Sequence, residues 1–149
     1  GRIARAIVRE RVNRQDLTTC WLAELVCRVA GTRGGAIHPA TRTFQAFRMA
    51  VNGELESLAE GLERGLGLLK PRGRMAVISY HSIEDRLVKQ VFGEHVGRNQ
   101  SLQAGGLQWM GSLPRMAWVN RKPITAAEDE LSENQRARSA KLRVVERIQ

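Results

Sequence analysis

A short apolar run, Met75–Ile78, opens abruptly into Ser79-Tyr80-His81-Ser82 and constrains the fold more than any other stretch of this chain. The breaker Lys70-Pro71-Arg72-Gly73 precedes it, and Ile83-Glu84-Asp85 follows. Four apolar residues are too few for a helix, and they do not alternate with polar ones. The run therefore reads as a strand buried on both faces, as in a parallel sheet. In an open α/β sheet, ligands gather at the carboxyl ends of strands, which is where the polar residues fall.

The segments around this strand read mostly as helices. Residues 2–13 place Ile3, Ile7, Val8 and Val12 on one stripe and Arg2, Arg5 and Arg9 on another. A second helix is capped by Asp16, Thr18 or Thr19, carries the stripe Trp21, Leu22, Leu25, Val26 and Val29, and closes at Gly31. Pro39 fits the start of a third helix, with Phe44, Phe47 and Val51 on a common face and Arg42 and Arg48 beside it. Aromatics interleaved with arginines suit single-stranded nucleic acid, although a core helix with surface arginines has the same spacing. Leucines from Leu55 to Leu69 extend a long helix in which Gly61, Gly65 and Gly67 imply close packing on a sheet.

Beyond the strand, Ser82 with Asp85 is a variant capping box for a helix reaching Phe92. Residues 93–114 hold five glycines and no sustained period, and read as a mobile loop or lid. Ala117–Asn120 is a strand candidate, and Thr125 with Glu128 forms a capping box for an acidic turn. A polar loop over 132–139 leads to a final strand of period two, from Lys141 to Ile148. The two strands make a terminal antiparallel addition to the sheet.

The charge points to a polyanion. The 149 residues carry a net charge of +9, and arginine, used far more than lysine, matches phosphate geometry. A generally basic surface is the plainer explanation. No apolar run approaches the ~20 residues of a membrane span, so a soluble chain with no membrane partner is expected. Cys20 and Cys27 lie two helical turns apart, roughly 10 Å, too far for a disulfide. They read as core thiols in a reducing, cytoplasmic setting.

Ser79, His81 and Asp85 contain the residue types of a hydrolytic triad. They crowd one strand–helix junction without the glycines of a nucleophile elbow, so a hydrolase is the weakest reading. His81 with Glu84 and Asp85 is equally weak as a metal site, and no metal is expected. Neither a Gly-x-Gly-x-x-Gly motif nor a P-loop occurs. The residues alone give a basic α/β chain facing a phosphate or nucleotide.

Four blocks in order carry more than this. They are His38-Pro39-Ala40-Thr41-Arg42-Thr43-Phe44-Gln45-Ala46, Val51-Asn52-Gly53-Glu54-Leu55, the run Gly73–Arg86, and Glu133-Asn134-Gln135-Arg136-Ala137-Arg138 continuing to Arg143. Together they closely resemble the bacterial small-subunit ribosomal RNA cytosine-N4-methyltransferase family, which uses S-adenosylmethionine. The resemblance spans nearly the whole chain except 93–114. It implies an α/β fold, the C-terminal part of a Rossmann-like methyltransferase sheet preceded by the end of a helical inserted domain. Residues 1–50 would end the inserted RNA-recognition domain, and 51–149 would belong to the catalytic sheet. Met75–Ser79 would be the fifth strand and the terminal strands a reversed hairpin.

The family's glycine-rich cofactor loop, ribose-holding acid and Ser-Pro-Pro-like motif have no counterpart in this sequence. No cofactor-binding residue is therefore assigned, and the chain is expected to be a trimmed piece, inactive alone. By position, Ser79, Tyr80, His81 and Ser82 would wall the pocket beside the target base. Arg42, Phe44 and Arg48 would face RNA from the inserted domain, and Asn134, Arg136 and Arg138 would border the pocket. The implied partner is ribosomal RNA in the small subunit. A non-catalytic basic RNA-binding module is the alternative. Met75–Ile78 should also present an unpaired edge and an uncovered face, prone to self-association into a homo-oligomer.

Overall fold

A computed structural model of the protein describes residues 1–31, 38–101, 107–110 and 114–148, with 98–101 and 107–110 described through their backbone alone. The chain divides into two compact units, Gly1–Glu54 and Leu55–Gln149.

The first unit is helical: α1 (Arg2–Arg11), α2 (Thr19–Ala30) and α3 (Thr41–Asn52). Thr18 caps α2 by accepting the Trp21 N–H at 3.2 Å, and Gly31 ends it at φ 75°, where a side chain would be strained. Ala6, Trp21 and Leu25 form a small core, with Ile7, Leu22 and Val29 against it. The Arg14 guanidinium lies 5.5 Å from the centre of the Trp21 ring. Three expectations change here. Val8 and Val12 are exposed rather than on the packed stripe, because Ala6 occupies the contact with α2. Cys20 is exposed and Cys27 half-buried, since the buried stripe runs through Trp21, Leu25 and Val26. On α3 the buried residue is Met49, while Phe47 and Val51 are exposed.

The second unit holds α4 (Glu54–Leu68), β1 (Arg74–Ser79), α5 (Ser82–Val96), β2 (Arg98–Ser101), β3 (Leu107–Met110), β4 (Met116–Trp118), β5 (Ile124–Thr125), α6 (Glu128–Glu133), a 3-10 turn (Gln135–Ser139) and β6 (Lys141–Arg147). The last strand lies in the middle of the sheet, in the order β1-β6-β4, and both pairings are antiparallel. β5 pairs with β6 beyond the end of β4. Between β4 and β5 the Asn120 side chain replaces a ladder rung. It accepts the Val144 N–H at 2.7 Å and donates to the Leu142 carbonyl at 3.0 Å.

The register sorts the side chains into rows across the sheet. Met75, Val145 and Trp118 align on the inner face, followed by Val77 with Arg143, then Ser79, Lys141 and Thr125. Leu62 and Leu66 of α4 and Val88, Val91 and Phe92 of α5 complete this core with Met116 and Val145. Phe92 and Trp118 meet edge to face, ring centres 5.8 Å apart. The outer face carries Ala76 with Val144, and Ile78, Leu142 and Ile124 in a row.

β1 is thus not buried on both faces. Its exposure alternates, and Ile78 is 56% exposed. Every described strand pairing is antiparallel, so β1 is not flanked by a parallel neighbour among the described residues. Of the glycines in α4, only Gly65 marks a close approach. A Cβ there would strike Met75 of β1, whereas Gly61 and Gly67 have nothing within 4 Å.

Residues 93–114 are not simply a loop. α5 continues to Val96, and β2 and β3 form an antiparallel hairpin; residues 102–106 and 111–113 lie outside the described residues. Thr125 pairs in β5 rather than capping a helix, and α6 starts after Ala127 without a side-chain cap.

Candidate functional site

α5 begins one residue earlier than a serine cap would place it, with His81 as N-cap. The His81 Nδ1 accepts the Glu84 N–H at 3.3 Å. Glu84 reaches back, its carboxylate accepting the Tyr80 N–H at 2.9 Å and the His81 N–H at 3.2 Å. This is a capping box in which histidine takes the role usually held by serine or threonine. An accepting Nδ1 leaves the neutral ring's proton on Nε2, which lies 2.9 Å from Glu84 Oε1 without hydrogen-bond alignment. Ser82, the expected cap, is the first residue of the helix and is exposed.

Asp85 turns inward instead of capping. Its carboxylate accepts from the Arg143 Nε at 2.7 Å and Nη2 at 3.2 Å, and Lys141 Nζ stands 3.6 Å away. The Arg143 side chain is only 6% exposed and that of Asp85 13%. The hydrogen bonds from Arg143 outweigh burial and, with the charges of Arg143 and Lys141, hold the Asp85 carboxyl below its ordinary range. A forked, charge-assisted pair of this kind fixes direction as well as distance. It fastens the first turn of α5 to β6.

Ser79, buried at 4%, ends β1 opposite Lys141, with its Oγ 3.5 Å from the Lys141 carbonyl. The 3-10 turn enters β6 at that same Lys141, so one end of the sheet gathers the 79–82 strand end and the 134–138 segment. Asn134 caps the turn by accepting the Arg136 N–H at 3.2 Å. Ala137 is buried, and Arg136 and Arg138 on either side of it are exposed.

The remaining predicted contacts belong to the first unit. Arg42 lines a cleft of about 540 Å³ with Arg2, His38 and Pro39. Phe44 is half-buried. Arg48 is engaged with Glu54, Nε to Oε1 at 2.7 Å.

Sequence reasoning brought Ser79, Tyr80, His81 and Ser82 to the strand end but missed the residues that hold it: Glu84, Lys141, Arg143 and Asn120. The signal for Glu84 was present, since it stands three residues beyond His81 as a capping box requires.

The last strand lies antiparallel between β1 and β4, packed on α4 and α5 with exposed arginines at its polar end, and the comparisons with known proteins place this mixed α/β chain in the Rossmann-like methyltransferase class. The chain belongs to the MraW methylase family, whose model matches residues 1–148. It is 47% identical over 146 residues to a protein of Thermomicrobium roseum named "Ribosomal RNA small subunit methyltransferase H", covering 98% of this chain and 45% of the relative. The relative of that name from Syntrophotalea carbinolica is 48% identical over 149 residues, covering 99% and 48%. That from Bradyrhizobium diazoefficiens is 47% identical over 150 residues, covering 98% and 44%. The chain spans less than half the length of these relatives.

Proposed function

We propose that this chain is the substrate-facing, carboxyl-terminal part of an S-adenosylmethionine-dependent methyltransferase acting on the exocyclic N4 of a cytidine in small-subunit ribosomal RNA. The observation that carries this reading is the 47% identity over 98% of the chain to a protein named for small-subunit ribosomal RNA methylation. Residues 1–50 serve RNA recognition through Arg42, Phe44 and Arg48, and residues 51–149 complete the catalytic sheet. Ser79–Ser82 form one wall of the base pocket, bordered by Asn134, Arg136 and Arg138. Such a reaction needs the amine lone pair aligned with the methyl carbon and an acceptor for the amine proton. It also needs the base out of its stack.

The residues present at the strand end do not fit the methyl donor. Both carboxylates there are committed, Glu84 to the Tyr80 and His81 amides and Asp85 to Arg143, so neither is left to receive a ribose. No step is assigned through the donor, and the chain alone is expected to transfer no methyl group.

Deleting the gene that carries this sequence and digesting small-subunit RNA to nucleosides tests the reading. Loss of N4-methylcytidine by mass spectrometry is the expected result. Loss of a methyl group from another atom would sink the N4 assignment, and an unchanged digest would sink the methyltransferase. The net charge of +9 also suits a non-catalytic RNA-binding module, and the unchanged digest is what that alternative predicts.

A further inference from the structure

We infer that Tyr80 is the platform on which one unstacked base of single-stranded RNA rests, while its polar neighbours hold the backbone beneath it. This deepens the RNA reading above and rests on it. The strand-end residues differ in what their side chains are free to do. Ser79 is buried against Lys141, and His81 has its Nδ1 in the α5 cap and its Nε2 buried. Ser82 is exposed but offers only a hydroxyl. Tyr80 is 59% exposed.

Its backbone is already fixed. The Tyr80 and His81 amides both donate to Glu84, and Asp85, the next residue, is forked onto Arg143. Ser79, just before Tyr80, is paired in the sheet with Lys141. Little ordering is left to be met when a ligand arrives, which is what makes an exposed ring an effective contact.

The partner's chemistry follows from what surrounds the ring. Arg136 and Arg138 project from the turn that feeds Lys141, the strand neighbour of Ser79, and the buried Ala137 holds the turn in place. Glu84 and Asp85 are engaged internally; the acidic first turn of α6 lies at the far end of that helix, and the exposed Glu133 at its near end is one carboxylate against Arg136, Arg138 and Lys141. Cations at the same end of the sheet as an anchored aromatic ring suit a phosphate backbone with a splayed base. The arginines supply salt-sensitive attraction, and the ring supplies stacking that any base can use.

The test measures binding of a short oligocytidylate to the whole chain by fluorescence anisotropy over a series of salt concentrations. Tyr80→Ala should weaken binding about ten-fold at every salt concentration, leaving the slope against salt unchanged. Tyr80→Phe should bind as the parent does, since the ring is retained. Arg138→Ala should instead make the slope shallower. Parental affinity in Tyr80→Ala, with RNA still bound salt-sensitively, would overturn the platform and leave the RNA reading standing. An unaltered parent chain that binds no oligocytidylate at low salt would overturn both.

Discussion

Removing the Asp85 carboxylate would strip the Arg143 guanidinium, its side chain 6% exposed, of its charged partner and leave it the long 3.5 Å bond to the Arg121 carbonyl. A buried charge stripped of its partner is among the larger single-residue losses. Asp85→Ala should therefore cost roughly 3–5 kcal/mol in urea unfolding, and the joint replacement Asp85→Leu with Arg143→Met far less. Equal losses in the single and double variants would show that packing rather than charge dominates. The pair also sets an acid dependence. The folded carboxyl titrates below its unfolded value, which lies at about 3.9. Its contribution is therefore complete above that value and lost as pH falls through the depressed folded one. Asp85→Asn should flatten the stability curve in that acid window. None of this was legible locally, because the two residues lie 58 positions apart and Asp85 also satisfies the spacing of a capping box with Ser82. The contact exists only once β6 lies beside β1.

At the scale of elements, the positions of the main helices and strands could be read from apolar periodicity, but their faces could not. β1 reads as two-sided because Met-Ala-Val-Ile has no polar member. Its alternation is one of exposure, imposed by helices covering a single side. The cap of α5 was misplaced by one residue because serine is the commoner cap, although here the histidine ring bonds the N3 amide. The β2–β3 hairpin, whose strands carry Asn99, Gln100 and Gln108, offered no period-two signal to find. The glycines offer a contrast that tests the α4–β1 junction. Gly65→Ala would press only on the far end of the Met75 side chain, and alanine gains helix propensity, so stability should change by less than about 1 kcal/mol. A Cβ at Gly73 would stand 2.8 Å from the Lys70 carbonyl oxygen and 3.3 Å from its nitrogen. That is backbone, held by the turn's own hydrogen bond of 2.7 Å. Gly73→Ala should lose about 1–3 kcal/mol. Thermal unfolding of the two variants side by side would reveal a reversed order at once.

For the molecule as a whole, the sheet's outer surface is the feature with the plainest physical consequence. Ile78, Leu142 and Ile124 stand in a row across β1, β6 and β5, with Ile78 56% and Ile124 54% exposed. β1 pairs along one edge only, with β6, among the described residues. An open strand edge beside an apolar face is a template for pairing with another copy. Against this stand the net charge of +9, which opposes close approach of like molecules, and the cost of desolvating the exposed Arg74–Glu146 pair at the far end of the same face, 2.6 Å apart. The apolar row should prevail at higher salt, where repulsion between copies is screened over about 8–10 Å or less, while burial of apolar area is not weakened. Sedimentation should therefore show association that increases with salt as well as with concentration. Ile78→Lys, which places a charge in the middle of the row without touching the inner core, should keep the chain monomeric across the series. Association that falls with added salt, or that survives Ile78→Lys, would mean that charged surfaces rather than this face bring the copies together.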